Sequence, residues 1–334
     1  MLRKNKIVVI LGPTASGKSD IAVKLAKKLD GEIISADSRQ VYRYMNVGTG
    51  KVPLDSSSPQ MGRVIKGEGL NKKIYYSSGI PHHMIDIVSP KTDYNVAKFK
   101  KAVDKIIPQI LKRGKVPIIC GGTGFWIKAI VDNVKFPAVK PNWKLRQKLN
   151  KQSTLQLFKV LKCLDSRRAR TIDRNNKIRL IRAIEICKTL GQVPSLFPQP
   201  PLPPGEGGLE GRERDYKFLQ IGLKIPKQKL HQNIKKRLEA RFKQGMIKEV
   251  KDLHYNPPAG GGVSWKKLES FGLEYKWIAL YLQNKISKDD MQAKLFQEIK
   301  NYAKRQMTWF RKDKRTIWAK DSNTIGKKIK EFME

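Results

Sequence analysis

The stretch "KIVVILGPTASGKSDIAVKLAKKL", residues 6–29, decides the fold. Ile7–Leu11 is an unbroken apolar run, as expected of a strand buried on both faces and too short for a helix. The next eight residues, Gly12, Pro13, Thr14, Ala15, Ser16, Gly17, Lys18 and Ser19, match the pattern G-x-x-x-x-G-K-[ST]. Behind them Ile21, Ala22, Leu25, Ala26 and Leu29 recur at helical spacing. Strand, glycine loop and helix in that order make a phosphate cradle. Loop N–H groups and the helix N-terminus surround phosphate oxygens, Lys18 reaches across them, and the Ser19 hydroxyl faces a Mg²⁺ ion. The pattern speaks for a diphosphate and says nothing of what carries it.

Further strands follow at Glu32–Ala36, Val116–Cys120, Phe218–Leu223 and within "RTIWA" (315–319), with helical stretches between. The alternation predicts an α/β fold, a P-loop NTPase-like parallel sheet flanked by helices. From Pro137 to Leu196 the strands give way to basic helical patterns, read as an all-helical insertion domain. The expected divisions are a first core part (1–136), the insertion (137–196), a Pro/Gly-rich loop (197–214) and a second core part with C-terminal helices (215–334). Residues 54–79 read as a polar, glycine-rich insertion with a short hairpin and no chemistry.

The chain has 69 Lys+Arg against 29 Asp+Glu, a net charge of +40, which points to a polyanionic partner or to a general basic bias. Eight basic and two acidic residues lie in Lys162–Arg182, and six and one in Lys304–Arg315. Either cluster suits nucleic-acid phosphates, or is a solvated face. No apolar run approaches the ~18 residues of a membrane span. The opening segment reads as a strand rather than a signal peptide. Cys120, Cys163 and Cys187 stand far apart in sequence, which argues against a disulfide framework or a zinc site and for a cytoplasmic protein.

A nucleotide hydrolase usually carries a second carboxylate at the end of a neighbouring strand. Here "VPIICGGTG" ends in glycine and threonine. The bound phosphate therefore need not be hydrolysed. In "SADSRQVY" (35–42), Asp37 lies just past the second strand, at the edge where open α/β sheets bind ligands. It reads as a general base, suited to a small-molecule kinase or a transferase, or else as a turn aspartate. His82 and His83, adjacent on extended chain, point opposite ways, so structural hydrogen bonding is favoured for them.

"GPTASGKS", "SADSRQVY", "PHHMIDIVSP", "YNVAKF", "GGTGFW", "NNKIRLIRAIEI" and "YAKRQMTWFRKD" occur in the order seen in bacterial tRNA dimethylallyltransferases (isopentenyl-diphosphate:tRNA transferases), which this chain resembles over nearly its whole length. The resemblance implies transfer of a dimethylallyl group from dimethylallyl diphosphate to the exocyclic amine of the adenine 3′ of the anticodon. It makes Asp37 the base and Arg237 a cation on the leaving diphosphate, and it assigns Thr123 to the catalytic set. It places Asp37, Ser38, Arg39 and Gln40 beside the flipped base, and Thr123 and Arg146 on the tRNA. It also sets Ile178, Arg179, Leu180, Ile181 and Arg182, with Lys304, Arg305, Gln306 and Arg311, against the anticodon stem-loop. Mg²⁺ is the implied cofactor, and neither a membrane nor an obligate protein partner is implied. Two positions depart from the pattern. Asn233 stands where the family usually has a first arginine, with Lys235 and Lys236 near enough to substitute, and Asn176 stands where it usually has aspartate.

Overall fold

Residues 5–55, 74–194, 216–256 and 260–334 are described in the computed structural model. Strand β1 (Lys6–Leu11) is buried over its last five residues because it lies inside the sheet, between β5 (Val116–Gly121) and β6 (Lys217–Leu223). The sheet order is β3-β4-β2-β5-β1-β6-β7, with β2 at Gly31–Ser35, β3 at Tyr75–Ser77, β4 at Ile80–His83 and β7 at Ile317–Ala319. All neighbours run parallel except the β3–β4 hairpin. That hairpin supplies the edge that sequence patterning only hinted at.

Parallel strands put their carboxyl ends on one edge, so the loop after β1, Asp37 after β2 and Thr123 after β5 emerge together. Two backbone bonds beyond the strands, from Ala36 N–H to Cys120 O (2.8 Å) and from Thr123 N–H to Ala36 O (3.2 Å), hold those ends in register.

Helices α1 (Lys18–Leu29) and α13 (Ser322–Met333) cover one face of the sheet, burying Ala22, Leu25, Ala26, Leu29, Ile325 and Ile329 against Val8, Ile10 and Ile118. The other face packs under α2 (Val96–Lys112), α3 (Gly124–Val131), α8 (Lys227–Lys243), α9 (Met246–Tyr255), α11 (Leu273–Leu282) and α12 (Lys288–Phe310), with the short α10 (Trp265–Ser270) beside them. Alternate residues of β1, Ile7, Val9 and Leu11, feed this second core, as the period of a strand requires.

The chain divides into two compact units, Met1–Val131 with Glu213–Glu334, and Asp132–Arg212. The second unit therefore begins somewhat before residue 137. Its helices α4 (Trp143–Asn150), α5 (Thr154–Leu164), α6 (Ser166–Thr171) and α7 (Lys177–Leu190) enclose their own core of Leu149, Leu157, Leu161, Leu180 and Ile184. Expectations for the loop 197–214 and for most of 54–79 lie outside the described residues. Among the described residues, no helix is long and apolar enough to cross a membrane.

Candidate active site

The glycine loop turns through two left-handed residues, Ala15 (φ 60°) and Gly17 (φ 79°), to start α1. Gly17 caps that helix without a side-chain hydrogen bond, so its first N–H groups are available to an anion. Three residues shape the loop from outside. Gln306 Oε1 accepts from Thr14 N–H (2.8 Å), and Arg237 Nη2 donates to Thr14 Oγ1. Asn233 Nδ2 donates to Ala15 O (3.3 Å). Within the loop, Lys18 Nζ donates to Pro13 O (3.1 Å), while the buried Ser16 Oγ finds no partner. A buried hydroxyl without a partner beside open N–H groups is what an oxygen-rich ligand would satisfy.

A narrow cleft of about 50 Å³ brings Thr14, Lys18 and Ser19 against Asp37, Arg39, Arg237 and Tyr302. It adjoins a wider mouth of about 570 Å³ lined by Ala15–Asp20, Gly50–Pro53, Asn233, Lys236 and Arg237. Asn233 thus keeps a place at the loop, and Lys236, not Lys235, brings the cation to its side. The local charge is uncomfortable for its owners. Burial, and next the neighbouring Arg241, lowers Arg237 to about 9. Burial also lowers Lys18, with Arg237 adding to the effect. An anion between the two would relieve both.

Asp37 belongs to a tight turn in which its Oδ1 accepts from Arg39 N–H (2.9 Å). Thr123 Oγ1 accepts from Ser38 N–H (3.1 Å), so the turn is tied to the end of β5. The turn reading of Asp37 therefore holds, and the same residue lines the cleft. Arg39 and Gln40, expected beside a flipped base, are already engaged. Arg39 pairs with buried Glu274 (2.6 Å), which also takes Arg241 (2.9 Å). Gln40 accepts from Ser35 Oγ (2.9 Å) and donates to Gly50 O (3.3 Å). They build the wall of the cleft. Burial pushes the Tyr302 hydroxyl, which also lines the cleft beside Arg39, up to about 12, so it stays neutral.

Three expected RNA contacts need correction. Gln306 is buried, with Nε2 donating to Gly122 O (2.8 Å) while Oε1 holds Thr14, so both ends of its amide are consumed in joining the loop to β5. Leu180 and Ile181 are buried in the core of the helical unit. They lie inward because residues three and four apart share a helix face, which leaves Ile178 (80% exposed) and Arg179 outward. Lys304, Arg305 and Arg311 are exposed.

In the helical unit Arg146 is clamped by Glu185 through Nε (2.9 Å) and Nη2 (2.7 Å), and Arg182 pairs with the same carboxylate. Glu185 itself is a residue that sequence reading missed, since a lone acid inside a basic helix looks like a surface charge. Asn176 caps α7, its side chain accepting from Arg179 N–H (3.1 Å). Asparagine caps as well as aspartate does, so the departure at 176 leaves the helix start intact.

His82 and His83 are structural. His82 Nδ1 meets Ile80 O (2.9 Å) and His83 Nε2 meets Glu32 (2.6 Å), which also holds Arg113. Burial raises the Cys120 thiol, behind Lys18, to about 11, which keeps it unreactive. Among the described residues no three His, Cys, Asp or Glu are grouped as a metal site.

Fold and site together define a P-loop α/β protein in which the loop, two arginines and one aspartate line a single cleft. A family model described as IPP transferase matches residues 40–313, and one described as isopentenyl transferase matches residues 5–66. The chain is 40% identical to a tRNA dimethylallyltransferase 1 of Syntrophus aciditrophicus over 92% of this chain and 90% of that protein. It is 37% identical to a tRNA dimethylallyltransferase of Finegoldia magna, over 94% and 91% respectively. Among solved structures, the full-length tRNA isopentenylpyrophosphate transferase of Bacillus halodurans superposes with a TM-score of 0.64 at 30% identity, covering 99% of this chain and 96% of that one. This chain belongs to the IPP transferase family.

Proposed function

We propose that this protein moves a dimethylallyl group from dimethylallyl diphosphate to N6 of the adenine 3′ of a tRNA anticodon, releasing diphosphate. The observation that carries the reading is the shared cleft. One aspartate aims into the space that Thr14, Lys18, Ser19 and Arg237 surround. The donor's diphosphate takes the loop N–H groups, Ser16 Oγ, Lys18 and Arg237, and the wide mouth gives it entry. The flipped adenine presents N6 to Asp37. The C1–O bond of the donor breaks as the C1–N6 bond forms, the carboxylate takes the N6 proton, and the leaving oxygen's charge falls on fixed cations. Thr123 positions the Asp37 turn through Ser38.

The donor set fits Mg²⁺ as well: a serine hydroxyl, Ser19, beside phosphate oxygens is a site of few protein ligands, as that ion accepts. When bound, it would neutralise diphosphate charge. The tRNA reading draws on the tRNA-acting relatives and on the exposed cations Arg179, Lys304, Arg305 and Arg311. Acting on tRNA puts the work in the cytoplasm.

The test is incubation with Mg²⁺, unmodified tRNA and labelled dimethylallyl diphosphate, in parallel with labelled ATP. Label is expected in the tRNA; ATP consumption without it would install a kinase or hydrolase instead. Asp37→Ala is expected to cut transfer by about two to four orders of magnitude with tRNA binding retained. Retained transfer would remove the base assignment.

A further inference from the structure

The backbone from Asn46 to Lys51 folds back on itself, with Gly50 N–H donating to Val47 O (3.0 Å) and Lys51 N–H to Asn46 O (3.1 Å). This segment forms part of the site. Thr49 and Gly50 line the narrow cleft, and Gly50, Lys51, Val52 and Pro53 line the wider mouth together with the glycine loop. It belongs to neither a strand nor a helix, so no ladder of its own fixes its position.

The anchor is Glu249, in the first turn of α9. Its Oε2 accepts from Asn46 N–H (2.7 Å) and Val47 N–H (2.7 Å), and its Oε1 accepts from Gly48 N–H (3.0 Å) and from the Tyr275 hydroxyl (2.7 Å). Three consecutive N–H groups thus converge on one carboxylate, the backbone nest that favours an anion. Burial, and next the Glu249 charge, raise Tyr275 well above the ordinary phenol range, so its hydroxyl remains a donor. The carbonyls are held from elsewhere: Gly48 O accepts from Arg241 Nη1 (3.2 Å) and Gly50 O from Gln40 Nε2 (3.3 Å). Packing leaves the segment no slack. A Cβ on Gly48 would stand 2.7 Å from Tyr275 Cζ, and one on Gly50 1.7 Å from Arg241 Nη2. Glu249 itself lines neither the cleft nor the mouth.

We infer that Glu249 is a positioning residue for the donor: its carboxylate sets where residues 46–53 stand relative to the glycine loop, and so the width of the mouth that admits and seats the diphosphate. This rests on the transfer reading above and extends it to a residue that touches no substrate. An acid in the first turn of a helix also complements the helix dipole, which by itself would make Glu249 a stabiliser of α9. That role needs only a negative charge near the helix start. Here both oxygens are filled by donors from other segments, which demands a side chain of this reach as well as its charge.

The experiment measures KM for dimethylallyl diphosphate and for tRNA, kcat, and hydrogen exchange at the amides of residues 46–48, in the full chain and in Glu249→Gln, Glu249→Asp and Tyr275→Phe. Glutamine keeps the shape but turns one acceptor into a donor that faces other donors. Aspartate keeps the charge at the start of α9 but is one methylene short of the nest. Both are expected to raise donor KM about tenfold, the scale on which misplaced binding groups act, with kcat changing less and tRNA KM unchanged. The 46–48 amides should exchange faster in both. Tyr275→Phe, which leaves the three N–H bonds in place, should shift donor KM less and in the same direction. Donor KM unchanged in Glu249→Gln, or restored to the wild-type value by Glu249→Asp, overturns the inference while wild-type transfer leaves the function standing. If both Glu249 variants melt early, Tyr275→Phe decides: a donor KM equal to wild type overturns the inference. Absence of transfer by the full chain overturns both readings.

Discussion

Arg237 is a cation held where its own charge is disfavoured, with Arg241 and Arg39 nearby and only part of the repulsion offset by Glu274 and Asp37. Such a residue is suited to a ligand of high negative charge. Its shift and that of Lys18 are both downward, so both lose their protons at lower pH than free groups do. The charged forms hold diphosphate. Donor KM should therefore rise as pH is taken up through about 9, with RNA affinity changing less; a flat donor KM to pH 10 would count against the assignment. Arg237→Ala should raise donor KM with tRNA affinity little changed, whereas a selective loss of tRNA binding would reassign the residue. That Asp37 and Lys18 would lie at one edge of the sheet was readable from motifs, and the resemblance added Arg237; the three do line one cleft. That Arg39 builds the wall rather than reaching freely for a base was not, because its partner Glu274 lies 235 positions along the chain.

At the level of elements, α12 changes most between sequence and structure. Its periodicity places Leu295, Ile299, Tyr302, Gln306 and Phe310 on one side; four are buried, while Tyr302 is half-buried at the cleft. A buried glutamine must find partners, and only the fold reveals that they are Thr14 and Gly122. Gln306→Leu should leave a buried N–H and a buried carbonyl unpaired, costing about 1–3 kcal/mol in denaturant unfolding and raising donor KM through a looser loop. An unchanged midpoint and KM would show that the bridge is dispensable. The same helix turned Trp309 outward, where alternation of polar and apolar letters would have hidden a tryptophan in the core. The clue in sequence was the pair of separated strings "GGTGFW" and "QMTWF", which become meaningful only once Gly124 is seen under the indole.

At the level of the molecule, two compact units carry separate cores, and the second gathers two of its arginines, Arg146 and Arg182, on one buried acid. Burial opposes ionisation of Glu185, yet hydrogen bonds from Arg146, Asn142 N–H and Arg182 outweigh it and hold the carboxyl at about 2. A carboxyl depressed in the folded state contributes stability that is present above its unfolded value, 4.5, and is lost as pH falls toward about 2. Unfolding of the helical unit, followed by hydrogen exchange, should accordingly quicken across that window, and Glu185→Gln should flatten the dependence; persistence of the same slope in the variant would refute it. The sequence by itself determined the strand-loop-helix cradle, the parallel sheet and the positive field, because these depend on local periodicity, a glycine pattern and summed charge. Only the tertiary structure decided which of the many arginines are spent on internal carboxylates, which glutamine locks the loop, and which aromatic rings remain open. Those outcomes depend on contacts between residues far apart in the chain, where burial forces each polar group to find a partner and no local pattern names it.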